Sequence, residues 1–239
     1  MKISTSKVFA SALVAIMFSM FSTSNISAAE QANPFKIGPA EISFNAGYMS
    51  GYQWRGEDQN SGDGTAMGGI DVALPYNIYA GTWTASAEWA NGQEIDFYAG
   101  IAPSFGDISF DLGYISYYYQ GGNDATNFGE FYVGATYAPE KAPYSFGVKY
   151  SDNDTDGGFA TDGTKIQSDN IEFTASYDIL SIAYGEFKNY TDYTTVALAK
   201  EFGGIEFSLA YTTTDWDASQ GNGTNGKDEF LIVSLSKSF

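Results

Sequence analysis

From Ile205 to Thr212 the chain places Ile205, Phe207, Leu209 and Tyr211 on one face and Glu206, Ser208, Ala210 and Thr212 on the other. A two-residue period belongs to an extended strand whose two faces meet different surroundings. The pattern recurs from about residue 41 to the last residue, Phe239, which leaves little room for any architecture other than an all-β one.

The first 29 residues follow another logic. Lys2 and Lys7 form a basic start, Val8 to Phe21 an apolar core, and Ser27 and Ala29 supply the small residues of a cleavage site. This is the grammar of an export signal. Residues 1–29 are therefore expected to be removed, leaving 30–239 as the folded unit. The apolar stretch is short for a spanning helix, and no second run of that length follows.

Without that signal the chain carries 29 acidic against 9 basic residues, a formal charge of −20. Such a chain repels nucleic acid, whose recognition needs a basic footprint. It has no cysteine, so no disulfide holds it together. It also has no histidine, which removes the Ser-His-carboxylate devices and the commonest zinc and copper ligand. Any enzyme chemistry would have to rely on carboxylates, Lys or Tyr.

Segments of alternation bounded by Gly, Pro, Asn or Asp predict twelve strands, near 41–54, 65–74, 78–89, 93–102, 107–119, 128–137, 144–150, 168–177, 179–187, 193–202, 205–214 and 228–239. An even count suits a transmembrane barrel with both termini on the periplasmic side. Short periplasmic turns and longer external loops are expected of such barrels. Here the external connections fall near 55–64, 90–92, 120–127, 151–167, 188–192 and 215–227, and four of the six exceed every connection between them. The expected fold is thus an up-and-down antiparallel β-barrel of the outer membrane.

An isolated Lys or Arg facing lipid at mid-depth costs about 2–4 kcal/mol, so the apolar face must be the outer one. Phe44, Phe97, Ile101, Phe110, Leu112, Val133, Phe146, Val148, Phe173, Ile182, Leu198, Leu209, Val233 and Leu235 are expected to face lipid. Asn45, Glu94, Asp96, Ser109, Asp111, Glu130, Lys149, Glu172, Thr174, Ser208 and Ser234 are then expected inside. Trp54, Trp89, Trp216 and Tyr117 to Tyr119 fall near strand ends, where amphipathic rings settle at a membrane interface. Small inward candidates, among them Gly113, Gly134, Gly147, Ala183 and Ala197, suggest free volume in the lumen.

Several stretches carry a further resemblance: Gly51 to Gly56 (Gly-Tyr-Gln-Trp-Arg-Gly), Gly68 to Asp71, Tyr79 to Trp83, Glu94 to Gly100, Asp111 to Tyr114, Gly129 to Gly134, Phe202 to Gly204 and Ser236 to Phe239. In these the chain resembles the TorF family, conserved outer-membrane proteins to which a porin role is ascribed. The resemblance implies an outer-membrane barrel and a channel function. Phe239 also looks like the aromatic end of the signal read by the outer-membrane assembly machinery, although Lys237 stands where that pattern has an aromatic residue.

Asp152, Asp154 and Asp156, followed by Gly157, match the first half of a calcium loop. Position 12 of that loop would be Gly163 rather than the bidentate Glu it needs. Glu94 and Asp96 share one strand face, and paired carboxylates can hydrolyse glycosides across a cleft. Porin interiors carry the same charge for solvation and selectivity. The expectation is a passive channel for small solutes or ions, cation-preferring and without cofactor. Glu94, Asp96, Asp111, Glu130, Lys149 and Glu172 would line its pore, and Arg55 could pair with the acids if it turns inward. The competing expectations are a closed barrel acting through its acidic loops at 55–64, 151–167 and 215–227, and a soluble exported β-sandwich.

Overall fold

The computed structural model describes residues 34–121, 127–153, 169–188, 190–216 and 226–239. The expected export signal lies outside these residues. Twelve antiparallel strands form the wall: β1 (Ala40–Met49), β2 (Thr65–Leu74), β3 (Ile78–Ala87), β4 (Gly92–Ile101), β5 (Ile108–Gln120), β6 (Phe128–Tyr137), β7 (Tyr144–Asn153), β8 (Asn170–Tyr177), β9 (Leu180–Phe187), β10 (Thr191–Phe202), β11 (Ile205–Trp216) and β12 (Lys227–Ser238). Each pairs with the next, and β12 returns to β1 with Ser234 opposite Met49 and Ser238 opposite Asn45. Phe239 completes the seam by exchanging backbone hydrogen bonds with Phe44 at 2.8 and 3.2 Å. Closure leaves no unpaired edge, the condition for strands in lipid.

The turns follow from their residues. Gly203 and Gly204 join β10 to β11 with φ of 63° and 77°, the two positive values a tight I′ hairpin requires. Four of the six external connections are longer than any periplasmic one.

All fourteen residues expected to face lipid are exposed on the outside. An apolar belt around a closed barrel is what hydrocarbon demands, since side chains there have no water to meet. The protein is an outer-membrane β-barrel. Among the described residues no helix is long and apolar enough to cross a membrane.

The interior has two unlike walls. The strands from β2 to β8 turn Asp71, Glu94, Asp96, Asp111, Glu130, Lys149 and Glu172 inward, all of them shielded. The strands from β9 to β12 contribute mostly small or neutral groups, including Ala183, Thr195, Ala197, Ser208, Ala210 and Ser234, all buried, with the half-buried Glu206 on the same face of β11.

Two expectations need correction. The first strand does not run to Trp54; it ends at Met49, and residues 52–60 turn into the lumen instead of outward. Gln53–Trp54 and Glu57–Asp58 pair there as a hairpin, Gln53 opposite Asp58 and Trp54 opposite Glu57. Alternation persists to Trp54 because the hairpin arm is itself extended. Trp54, Tyr117 and Tyr119 are accordingly not interfacial. Tyr117 and Tyr119 are buried inside, and Trp54 meets Tyr117, Phe128 and Phe187 edge to face at 5.5–6.0 Å.

Candidate functional site

The inward hairpin is the centre of the site, and its turn is Arg55-Gly56, with φ of 49° and 81°. Gly56 suits such backbone, which side chains resist. A Cβ at Gly56 would also collide with Tyr193 and Thr214. Arg55 has no such freedom, and is held in the strained region by its partners. Its guanidinium gives two parallel 2.7 Å hydrogen bonds to the Glu130 carboxylate, with only 8% and 1% of the two side chains exposed. It also lies over the Trp54 ring at 4.3 Å and the Phe187 ring at 5.0 Å. A planar fork that bonds a carboxylate and stacks on aromatic faces is a combination lysine does not supply.

The backbone of the turn is tied to the far wall. Thr191 donates to the Arg55 carbonyl at 3.1 Å and Thr214 to the Gly56 carbonyl at 2.7 Å. Tyr190 donates to Glu57 at 2.6 Å, and Tyr52 to Glu94 at 2.6 Å. Burial pushes the Glu57 carboxyl above its ordinary value, against the opposing pull of the Tyr190 hydroxyl. The Glu88 amide donates to the Gln59 carbonyl at 3.0 Å, which holds the returning arm. The hairpin therefore spans the bore near its external end, fastened to the β3–β4 turn and to β4, β6, β10 and β11.

Below it, tyrosines cover the acidic wall. Tyr79, Tyr98, Tyr132 and Tyr193 lie directly opposite Gly100, Gly81, Gly113 and Gly185 of neighbouring strands. Each ring occupies the space where the facing glycine's Cβ would be. These rings fill volume that the inward Gly113 was expected to leave open. The hydroxyls then reach acids: Tyr98 donates to Asp71, Tyr79 to Asp111, and Tyr193 to Glu172 at 2.8 Å. Tyr79 and Tyr132 also share a hydrogen bond, and Asn45 donates to Asp71 at 3.1 Å.

All six residues expected to line a pore sit in the lumen. Glu94, Asp111, Glu130 and Glu172 are engaged by Tyr52, Tyr79, Arg55 and Tyr193 respectively. Lys149 rests over the Tyr132 ring at 4.7 Å and lies opposite Glu172 in the strand register. Among the described residues, Asp96 Oδ1 and Gln53 Nε2 have no hydrogen-bond partner. Sequence reasoning missed Asp71, Gln53 and the tyrosines; the recurring Tyr and Gly positions on inward faces were the available signal. Six of the stretches behind the family resemblance, from Gly51 to Gly134, meet here. Of the calcium candidates, Asp152 is exposed at the end of β7, whereas Asp154 and Asp156 lie outside the described residues. Among the described residues no group of three metal-ligating acids forms.

A cavity of about 100 Å³ lies between the hairpin and the wall. The arrangement can bind and select by charge.

Two solved structures share the fold. The KdgM porin has a TM-score of 0.53 at 11% identity over 84% of this chain and 99% of its own. The NanC porin has a TM-score of 0.52 at 14% identity over 82% and 98%. No curated protein matches the sequence. A family model described as "Bacterial protein of unknown function (Gcw_chp)" matches residues 32–239, and the chain belongs to that family.

Proposed function

We propose that this protein is a passive outer-membrane channel for small solutes or ions, narrowed by its own first external loop and preferring cations. The observation that carries the reading is the docked hairpin: Arg55 is fastened to Glu130 inside the bore instead of lying in solvent. A loop folded inward and tied at both faces sets a size limit while leaving the wall intact. The fold shared with two porins supports a channel, and kinship with the TorF family is part of the same proposal.

Cation preference rests on charge. Glu57, Asp71, Glu94, Asp96, Asp111, Glu130 and Glu172 face Arg55 and Lys149 in the lumen. Rings of acidic side chains favour cations in a narrow pore. Removal of residues 1–29 on export, and capture of the β12 strand ending in Phe239 by the assembly machinery, complete the proposal.

Single-channel conductance in a planar bilayer, with the reversal potential read across a salt gradient, tests it. The expected result is discrete small steps with a cation-favouring potential that falls when Glu94, Asp111 and Glu172 are changed to glutamine or asparagine. A selectivity that ignores those changes overturns the cation reading. Silence from a correctly folded barrel would favour the second reading, a closed barrel, which the tyrosine-filled lumen supports.

A further inference from the structure

The outer face of the wall is sorted by charge along its length. At the external strand ends it carries Asp152, Glu186, Asp192, Asp215 and Glu229, with Lys227 ion-paired to Asp215 at 2.9 Å. Towards the periplasmic ends, among the described strand residues, its charges are Lys200 on β10 and Lys237 on β12, both exposed. Neither lysine makes an ion pair among the described residues. The nearby Glu201 and Glu206, opposite one another, alternate onto the lumen side. The Phe239 backbone oxygen accepts from the Phe44 amide at 3.2 Å.

A charge held in hydrocarbon is costly, so a long side chain on a lipid-facing wall lays its stem along apolar surface and carries its ammonium to the interface. Both lysines do this. Lys200 Nζ lies 5.5 Å from the centre of the Phe202 ring, and Lys237 Nζ 5.3 Å from that of Phe239. In each case the ring is two residues nearer the periplasmic rim, so both ammonium groups point the same way.

The two lysines also belong to one patch. Lys200 lies opposite Phe207, Phe207 opposite Leu235, and Lys237 stands two residues beyond Leu235. Two strand steps of ~4.8 Å and two residues of ~3.4 Å put their backbones about 12 Å apart. Two flexible four-carbon stems can close on one group across that gap. The exposed Phe207 and Leu235 floor the space between them. Two cations with no acid on their face, over an apolar bed, match a molecule with an anionic head and a hydrocarbon tail. We propose that Lys200 and Lys237 hold the headgroup phosphate of an anionic phospholipid of the periplasmic leaflet, its acyl chain lying against Phe207 and Leu235. A zwitterionic ethanolamine headgroup brings an ammonium that the same pair repels. The acidic external end offers no counterpart, so the asymmetry also fixes the leaflet.

The inference needs only the outer-membrane barrel and stands whether or not the barrel conducts. Native mass spectrometry of the full barrel, released from detergent micelles after heat-modifiability has shown it folded, would compare phosphatidylglycerol with phosphatidylethanolamine of identical chains. The unaltered barrel is expected to retain phosphatidylglycerol at least about fivefold more strongly. Lys200→Gln and Lys237→Gln should each weaken that lipid about fivefold and leave phosphatidylethanolamine unchanged, whereas arginine at both positions should preserve binding. Lys227→Gln, at the external end, should change neither lipid. Equal retention of the two lipids by the unaltered barrel overturns the proposal without requiring any variant to fold. A loss on Lys227→Gln as large as on Lys200→Gln overturns it too, by showing attraction to charge without a site. Displacement of phosphatidylglycerol by inorganic phosphate alone would overturn the lipid as the occupant.

Discussion

Arg55 and Glu130, 75 residues apart in sequence, meet in two parallel hydrogen bonds of 2.7 Å inside the barrel. The pair joins the tip of the first external loop to the wall at β6. Taking two such charges out of water is costly, and the geometry must recover that cost through both bonds.

Removing one partner should release the hairpin. Arg55→Ala leaves the Glu130 carboxylate buried with the Tyr117 hydroxyl, at 3.4 Å, as its remaining donor among the described residues, and breaking a buried pair in this way costs about 3–5 kcal/mol. The expected outcome is a larger, noisier conductance and cleavage by external protease within residues 50–64. Changing both residues to methionine should recover most of the lost stability. Urea unfolding in lipid vesicles measures the second effect and bilayer recording the first.

Gly56 offers an independent handle. Gly56→Val should prevent docking, because its Cβ would collide with Tyr193 and Thr214 and its φ of 81° disfavours any side chain. Gly62 has a similar φ of 79° but open space around it. Gly62→Val should therefore strain the backbone without undocking the hairpin. Limited proteolysis of the two folded variants should cut only the first.

The tyrosine layer should prove structural. Tyr98→Phe deprives Asp71 of a hydrogen bond to a charged acceptor, a loss of about 1.5–3 kcal/mol. Among the described residues, Asp71 would retain only the Asn45 amide. Gly81→Ala should also destabilise, by forcing the Tyr98 ring off its seat. Both effects are read as a lower urea midpoint, with the apolar outer belt unchanged.

Docking of the hairpin should weaken as pH rises. The Glu57 carboxyl titrates above its ordinary value when docked, so its protonated form favours docking. That contribution is complete below the ordinary glutamate value, near ~4.3, and is lost as pH climbs through the raised one. Glu57→Gln should flatten this part of the pH dependence while keeping a group able to accept from Tyr190. Channel noise or protease sensitivity recorded as pH rises from the ordinary glutamate value provides the measurement.

Much of the wall is legible in the sequence. Strands such as Thr65–Leu74 and Phe128–Tyr137 fall where alternation and turn residues put them, because lipid and lumen impose opposite demands on successive side chains. The inward direction of Glu94, Asp96 and Lys149 followed from the same rule. The roles of Tyr79, Tyr98 and Tyr132 did not, since a tyrosine is acceptable at an interface, in a core or in a lumen. Trp54 was misplaced for that reason.

By itself the sequence determined a twelve-stranded barrel, which residues of it meet lipid, and the acidic character of its interior, because a two-residue period records the two solvents on either side of each strand. Only the tertiary structure decided that residues 52–60 fold into the bore, that Arg55 finds Glu130, and that Gln53, Asp96 and Lys149 share one cavity. An extended arm reads the same whether it continues in the wall or crosses the lumen. Closure of the barrel brings β4, β6, β10 and β11 around that arm, and their hydrogen bonds then make the inward course the stable one.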